Sequence, residues 1–366
     1  MAAICPRARA VGVVAMHPQS LHRLAPVISA VEREAPAWFG DAIDAVIAEQ
    51  HVERSSSDVV LLRVRTRTRT AGVSLRIWRV ADERPHVRRG VEERVRREFQ
   101  VTMDCWQAFN GTGAVGCVRP LAYFPEHLAI ATEEAPGRPL SELFQRVLMP
   151  FASKPDRLLL DRACHGLADW LRQFQRLGGA DTCAEPAALT EYIDARLRRL
   201  VANPIAGFTA ADRLRVLLVT AWLVGRLQPE DLVEVPIHGE LTPAVITIDA
   251  AKLTVLDCTS GRRGLALHDL ASVFMHIGLF ASDHRYSSAL VREVQRRFLH
   301  AFDVTLDVQR PAFRVALLLN VVNHYSLLAA QRTPSVAALS DWRVMRRYRS
   351  WLRRLESVAH GAVAAR

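Results

Sequence analysis

Residues Val235 to Val273 read VPIHGELTPAVITIDAAKLTVLDCTSGRRGLALHDLASV, and the reading of this stretch decides the fold. Two apolar runs, Val245-Ile246-Thr247-Ile248 and Leu253-Thr254-Val255-Leu256, flank the polar break at Asp249-Ala250-Ala251-Lys252. Short apolar runs divided by a turn predict a strand pair, placed over 244–249 and 252–257. The pair brings two acidic residues, Glu240 ahead of the first strand and Asp257 closing the second, to one end of a short hairpin. His268-Asp269-Leu270-Ala271 follows and opens a helical run.

The spacing has a chemical meaning. A protein-kinase catalytic loop sets its base Asp two residues after a His and a metal-binding Asn five residues after that Asp; a later Asp holds Mg²⁺. His238, Gly239 and Glu240 stand where the His, a spacer and the Asp would be. Val245 stands at the Asn position, and Asp257 ends the next apolar strand, where the metal-binding carboxylate belongs. On these residues, with Pro243 and Asp269, the segment resembles the aminoglycoside phosphotransferase and choline kinase family. Upstream, Ala129-Ile130-Ala131-Thr132-Glu133-Glu134-Ala135-Pro136-Gly137-Arg138-Pro139-Leu140 is similar to that family's hinge. The resemblance spans roughly residues 55–330.

That resemblance implies a two-lobed, protein-kinase-like α+β fold and phosphoryl transfer from ATP or GTP, with Mg²⁺, to a small-molecule hydroxyl. It implies catalytic roles for Glu240 and His238 and a metal-binding role for Asp257. Arg76, Glu98, Ser56, Ser57 and Glu133 take the nucleotide-binding positions. Several of these positions depart from the family pattern. Glu240 replaces an aspartate and moves the carboxylate one methylene outward, where about 1 Å of misplacement matters. Val245 has no oxygen to offer a hard cation. No lysine precedes Lys154, so Arg76 in Val73-Ser74-Leu75-Arg76-Ile77-Trp78 takes the place of the sheet lysine. Its planar fork binds phosphate differently from a point-like ammonium. The turn Ser55-Ser56-Ser57-Asp58 contains no glycine. Beside these roles, His238 and Asp269 read as a buried structural pair, and Glu98, with Glu92, Glu93 and many arginines on its helix, as a solvated residue.

Outward from the motif, residues 28–50 predict a helix through Val31, Phe39, Ile43 and Val46. Val60, Leu62 and Val64 alternate with Leu61, Arg63 and Arg65, the period of a strand that runs to a turn at Ala71-Gly72; a second strand covers Val73 to Val80. Residues 91–109 return to helical spacing, and strands at 115–123 and 127–132 follow, with Pro125-Glu126 as their turn. Beyond Gly137 the chain reads as mostly helical apart from the hairpin at 244–257. The expected organisation is a helical extension over 1–50, a β-rich nucleotide lobe over 51–135, and a helical lobe over 136–366 that holds the catalytic-loop segment 236–270.

The net charge of +10 favours acidic partners such as nucleotides, nucleic acid or anionic lipid. Arg63, Arg65, Arg67 and Arg69 at spacing two would line one face of a strand, a solvated face before it is a polyanion surface. Trp342, Met345, Leu352 and Leu355 recur at helical spacing among arginines, a stripe that suits packing on the helical lobe as well as a membrane surface. No run of 18 apolar residues predicts a membrane span. Six cysteines without a CxxC pair fit neither a zinc motif nor a disulfide framework, so a reduced, cytoplasmic protein is expected. Cys164-His165 on one helical run cannot face each other and read as structural. Three functions remain open: a weakened or inactive kinase-like protein that still binds nucleotide, an active small-molecule kinase with an unidentified acceptor, and an arginine-rich protein that binds lipid or nucleic acid.

Overall fold

The computed structural model describes residues 18–364, apart from 55, 81, 83, 110–112, 179–181, 259–261 and 332–338. The chain forms two compact units: Met1–Gly137 with Thr254–Gly261, and Arg138–Leu253 with Arg262–Arg366. The architecture is mixed α+β, with sheet dominating the first unit and helices the second.

The first unit is built on an antiparallel five-stranded sheet. Its strands are β1 (Ile43–Glu53), β2 (Ser57–Thr66), β3 (Thr70–Trp78), β5 (Pro120–Phe124) and β6 (Ala129–Glu133), in the order β1-β2-β3-β6-β5. Side chains alternate across such a sheet. Val60, Leu62, Val64, Val73, Leu75, Ala129 and Ala131 therefore share one face, against Leu24, Val27, Ala30, Val31 and Ala35 of helix α1 (Pro18–Phe39). The other face carries Trp78 and Ile130, which pack with Leu128 on Val95 and Phe99 of helix α2 (Pro85–Phe109). The short strand β4 (Val115–Cys117) follows α2.

Three expectations are corrected here. The helix read over 28–50 stops at Phe39; Gly40 turns the chain at φ 66° and its N–H donates to the Pro36 carbonyl. Residues from Ile43 onward are strand. Register shifts between Ile43 and Ala45 and between Ala48 and Gln50 break the alternation of β1, so that Ile43 and Val46, three residues apart as on a helix, both pack on the core. The β2–β3 turn falls at 67–69, not at Ala71-Gly72, where the Thr66 N–H donates to the Arg69 carbonyl and Asp41 accepts from the N–H and hydroxyl of Thr68. Gly72 lies inside β3, paired with Arg63, and a side chain there would collide with Glu134. Arg67 and Arg69 accordingly leave the strand, and Arg63 is paired with both Glu49 and Glu134, so no four-arginine face forms.

The second unit has eight helices among its described residues. These are α3 (Leu140–Val147), α4 (Lys154–Gln175), α5 (Pro186–Ala202), α6 (Ala210–Val224), α7 (His268–Leu279), α8 (Ser288–Phe302), α9 (Pro311–Ala330) and α10 (Leu339–Ala364). Its main core gathers apolar residues of α5, α6, α7 and α10 around α9, where Phe313, Val315, Ala316, Val321, Val322 and Tyr325 are fully buried. By length and composition α9 is apolar enough to cross a membrane, but 83% of its apolar window is buried inside the protein. On α10, Met345 and Leu352 join this core while Trp342 stays half exposed. Sequence periodicity missed several short strands. Strand β9 (Val233–Ile237) pairs with β8 (Thr182–Cys183) and β12 (Arg262–Leu265), and β7 (Arg138–Pro139) pairs with β10 (Ile246–Ile248). Of these, β10 lies within the first strand of the expected hairpin, whereas β7, β8, β9 and β12 are only two to five residues long, too short for periodicity to single them out. The second strand of the expected hairpin is β11 (Leu253–Val255).

His276 and His324 meet edge to face inside this core, with ring centres 4.8 Å apart. Burial holds His324 down to about 4 and keeps His276, also facing His324, well below its usual value. Both are neutral in the folded protein, whereas the unfolded chain takes up protons near pH 6.5. Stability is therefore full above that pH and falls as pH drops towards 4, by up to about 1.4 kcal/mol per pH unit for each imidazole. Urea unfolding at pH 7 and pH 5 is expected to show a lower midpoint at pH 5, and His324→Leu to remove part of that drop. An identical pH dependence in the variant would contradict this account.

Candidate functional site

Position 76 follows from the pleat. Leu75 points towards α1, so Arg76 must point to the face that α2 covers. A guanidinium placed there, with its side chain only 17% exposed, needs acidic partners. Glu98 supplies one: Arg76 Nη1 donates to Glu98 Oε1 at 2.9 Å, and Glu98 is 4% exposed. Glu98 is thus a buried partner of Arg76 rather than the solvated residue its charged neighbours suggested. The other partner is Asp257, whose Oδ1 lies 3.6 Å from the same Nη1. The Arg76 Nε reaches Ser57 Oγ at 3.4 Å, and the guanidinium stacks 4.7 Å from the Trp78 ring centre.

Asp257 takes a left-handed conformation, φ 54°, which Asp tolerates better than most residues. Its Oδ2 accepts from Arg54 Nη1 at 3.4 Å. One carboxylate therefore sits against two guanidiniums. Sequence reasoning missed Arg54. Its only signal was that it precedes the serine turn, where a phosphate-binding loop would begin, and no local pattern ties residue 54 to residue 257.

The turn itself is closed by the Arg54 N–H donating to the Ser57 carbonyl, and by the Arg79 N–H donating to that of Ser56. Ser57 is buried under Arg76, whereas Ser56 is exposed; Ser55 lies outside the described residues. Asp58, fully buried, lies 3.2 Å from His51 Nε2. Glu133 ends β6 half-buried, its carboxylate 3.9 Å from Arg119 Nη1.

In the second unit the loop after β9 is held by Asp269. The N–H groups of His238 and Gly239 donate to Asp269 Oδ2 and Oδ1, at 2.6 and 2.9 Å. Gly239 has φ 77°, a conformation that suits glycine. Ser272 Oγ donates to the Leu241 carbonyl and Asn320 Nδ2 to that of His268, so α7 and α9 fix both ends of the brace. His238 is buried with its ring 6.3 Å from Trp170. Glu240 is exposed and makes no hydrogen bond among the described residues. Val245 closes a 3₁₀ turn through its N–H to the Thr242 carbonyl and presents only methyl groups. Cys164 is buried, its thiol pushed up to about 12 by burial, while His165 is exposed; the two do not form a catalytic pair.

Comparison with solved structures places this fold. The chain is similar to a choline kinase from Cryptosporidium parvum, with 11% identity, TM-score 0.56, and 93% of this chain and 97% of that one covered. It is also similar to an ethanolamine kinase from Plasmodium vivax, with 12% identity, TM-score 0.56 and coverage of 93% and 92%. An amicoumacin kinase in complex with AMP-PNP and Ca²⁺ aligns at 11% identity and TM-score 0.50, over 92% and 96% of the chains. No family model matches the chain, and no curated protein matches it. The fold is that of the kinase-like small-molecule phosphotransferases.

The Asp269 brace is the most exacting contact of the loop. Asp269→Asn leaves one acceptor oxygen for two N–H donors and turns an NH₂ towards one of them. A loss of about 2–3 kcal/mol is expected, read as a lower urea midpoint. A change within error would show that the brace carries no stability.

Proposed function

We propose that this chain is a kinase-like protein in which phosphoryl transfer is weakened or absent and which binds nucleotide through its arginines, with little help from Mg²⁺. The observation that carries this reading is the placement of both Arg54 and Arg76 against Asp257. A carboxylate flanked by two guanidiniums is a poor Mg²⁺ ligand, because an arriving dication meets two positive charges. Mg²⁺ also demands near-octahedral oxygen at about 2.0–2.1 Å, and Val245 offers no oxygen at the position where the resemblance expects asparagine. The donor set therefore does not fit the metal.

The same groups suit phosphate. Arginine binds phosphate oxygens with a planar fork of N–H donors. Arg76 is already oriented by Glu98, so part of the entropic cost of holding it has been met before a ligand arrives. Glu240, exposed and unbonded, keeps a carboxylate in the catalytic-loop position, displaced outward by one methylene. Phosphoryl transfer depends on positioning and charge stabilisation, so these replacements act on the same step.

The Arg76–Glu98 pair favours a second reading, an active kinase with Arg76 as phosphate clamp, Asp257 as metal ligand and Glu240 orienting an acceptor hydroxyl. Choline, ethanolamine and glucosamine, the substrates named for structural neighbours, are then the first acceptors to test.

The test is a thermal-shift titration with ATP and GTP, each with and without Mg²⁺. A ligand at 100 times its dissociation constant that binds only the folded state adds about 2.7 kcal/mol, a visible shift. A shift of similar size with and without Mg²⁺, lost in Arg76→Ala, is expected. A shift that requires Mg²⁺, with turnover that Glu240→Gln abolishes, would replace this reading with the active kinase. No shift with either nucleotide would remove both and leave the arginine-rich surfaces to be tried on anionic polymer.

A further inference from the structure

Three cysteines distant in sequence converge within the first unit. Cys105 lies on α2, Cys117 ends β4, and Cys258 directly follows Asp257. All three are buried, at 2%, 5% and 1% exposure, and their sulfurs lie within 4.8 Å of one another. The Cys117 and Cys258 sulfurs are 3.7 Å apart.

Buried cysteines commonly serve as small apolar side chains, and packing of that kind has no reason to aim three sulfurs at one point. Two thiolates bound to one zinc ion at about 2.3 Å, near the tetrahedral angle, are separated by about 3.8 Å, close to the spacing found between Cys117 and Cys258. No carboxylate or imidazole joins the group among the described residues, so its donor set is purely soft. That chemistry selects thiophilic ions and rejects Mg²⁺ and Ca²⁺. Hydrogen bonds between the Cys258 thiol and Cys105 and Cys117, the one to Cys117 donated by Cys258, push that thiol well above its usual value, and burial adds to this.

We propose that Cys105, Cys117 and Cys258 form a three-thiolate site for one thiophilic divalent cation of the zinc group. On binding, three metal–sulfur bonds form, three S–H bonds break, and three protons pass to solvent. Position gives the site a consequence. Cys105 is seven residues beyond Glu98, two turns along the same buried face of α2, and Cys258 adjoins Asp257. The ion would tie together the two segments that carry the acidic partners of Arg76. The site stands whether or not nucleotide binds.

The experiment uses the full chain with Cys5→Ser and Cys183→Ser, which removes one cysteine outside the described residues and one exposed thiol. Reduced, metal-stripped protein is incubated with Cd²⁺ and followed by the thiolate-to-metal charge-transfer band in the near ultraviolet. The expected result is an end-point of one ion per chain, displaced by Zn²⁺, unaffected by excess Mg²⁺ and accompanied by a rise in melting temperature. Cys164→Ser in the same background is expected to leave the band unchanged. Cys117→Ser and Cys258→Ser, shown to be folded by circular dichroism, are expected to weaken binding by at least about a hundredfold. Absence of the band in the parent protein overturns the proposal even if a cysteine variant fails to fold, and so does a band that survives the Cys117→Ser/Cys258→Ser double variant.

Discussion

A positive charge on the inner side of a sheet is the constraint around which the first unit is arranged. Once β3 turns Leu75 to the α1 face, Arg76 faces α2, and a guanidinium with little access to water needs anions. Two acids come to it from distant parts of the chain, Glu98 on α2 and Asp257 from a segment that returns after more than a hundred residues in the other unit. The return segment thereby becomes part of the first unit. Its left-handed turn at Asp257 is held from both sides by arginine.

The second unit solves a different problem with the same kind of group. A loop leaving β9 has N–H donors that no strand partner accepts, and a fully buried carboxylate on the first turn of α7 takes two of them. Asp269 is fixed in turn because α7 packs on α9. In both units a carboxylate holds the backbone or a guanidinium in place, while Glu240 is left in solvent.

Arginine carries nearly all the fixed positive charge of this chain, which has only two lysines. The choice has physical consequences. A guanidinium can serve two carboxylates at once, as Arg63 does with Glu49 and Glu134 and Arg76 with Glu98 and Asp257. Lysine, a point-like ammonium without the planar fork, could not hold two carboxylates in the same way.

Some of this was legible in the residues alone. The spacing of His238, Glu240, Asp257 and Asp269, set around two short apolar runs, pointed to the kinase-like fold. The alternation of Val60, Leu62 and Val64 placed a sheet ahead of a helical body. Periodicity is local, and where it is interrupted it misleads: the bulges in β1 mimic a helix, and the strands around Val233–Ile237 are too short to register. Other features depend on chain segments that meet only when folded. Nothing near residue 54 announces a partner at 257, nothing near Glu98 distinguishes a buried acid from its solvated neighbours, and the cysteines at 105, 117 and 258 share no motif. The sequence by itself determined the chemistry available at each position and the elements that carry it. Tertiary structure alone decided which charges face one another and which sulfurs converge, because those encounters are set by how sheet and helices pack and not by distance along the chain.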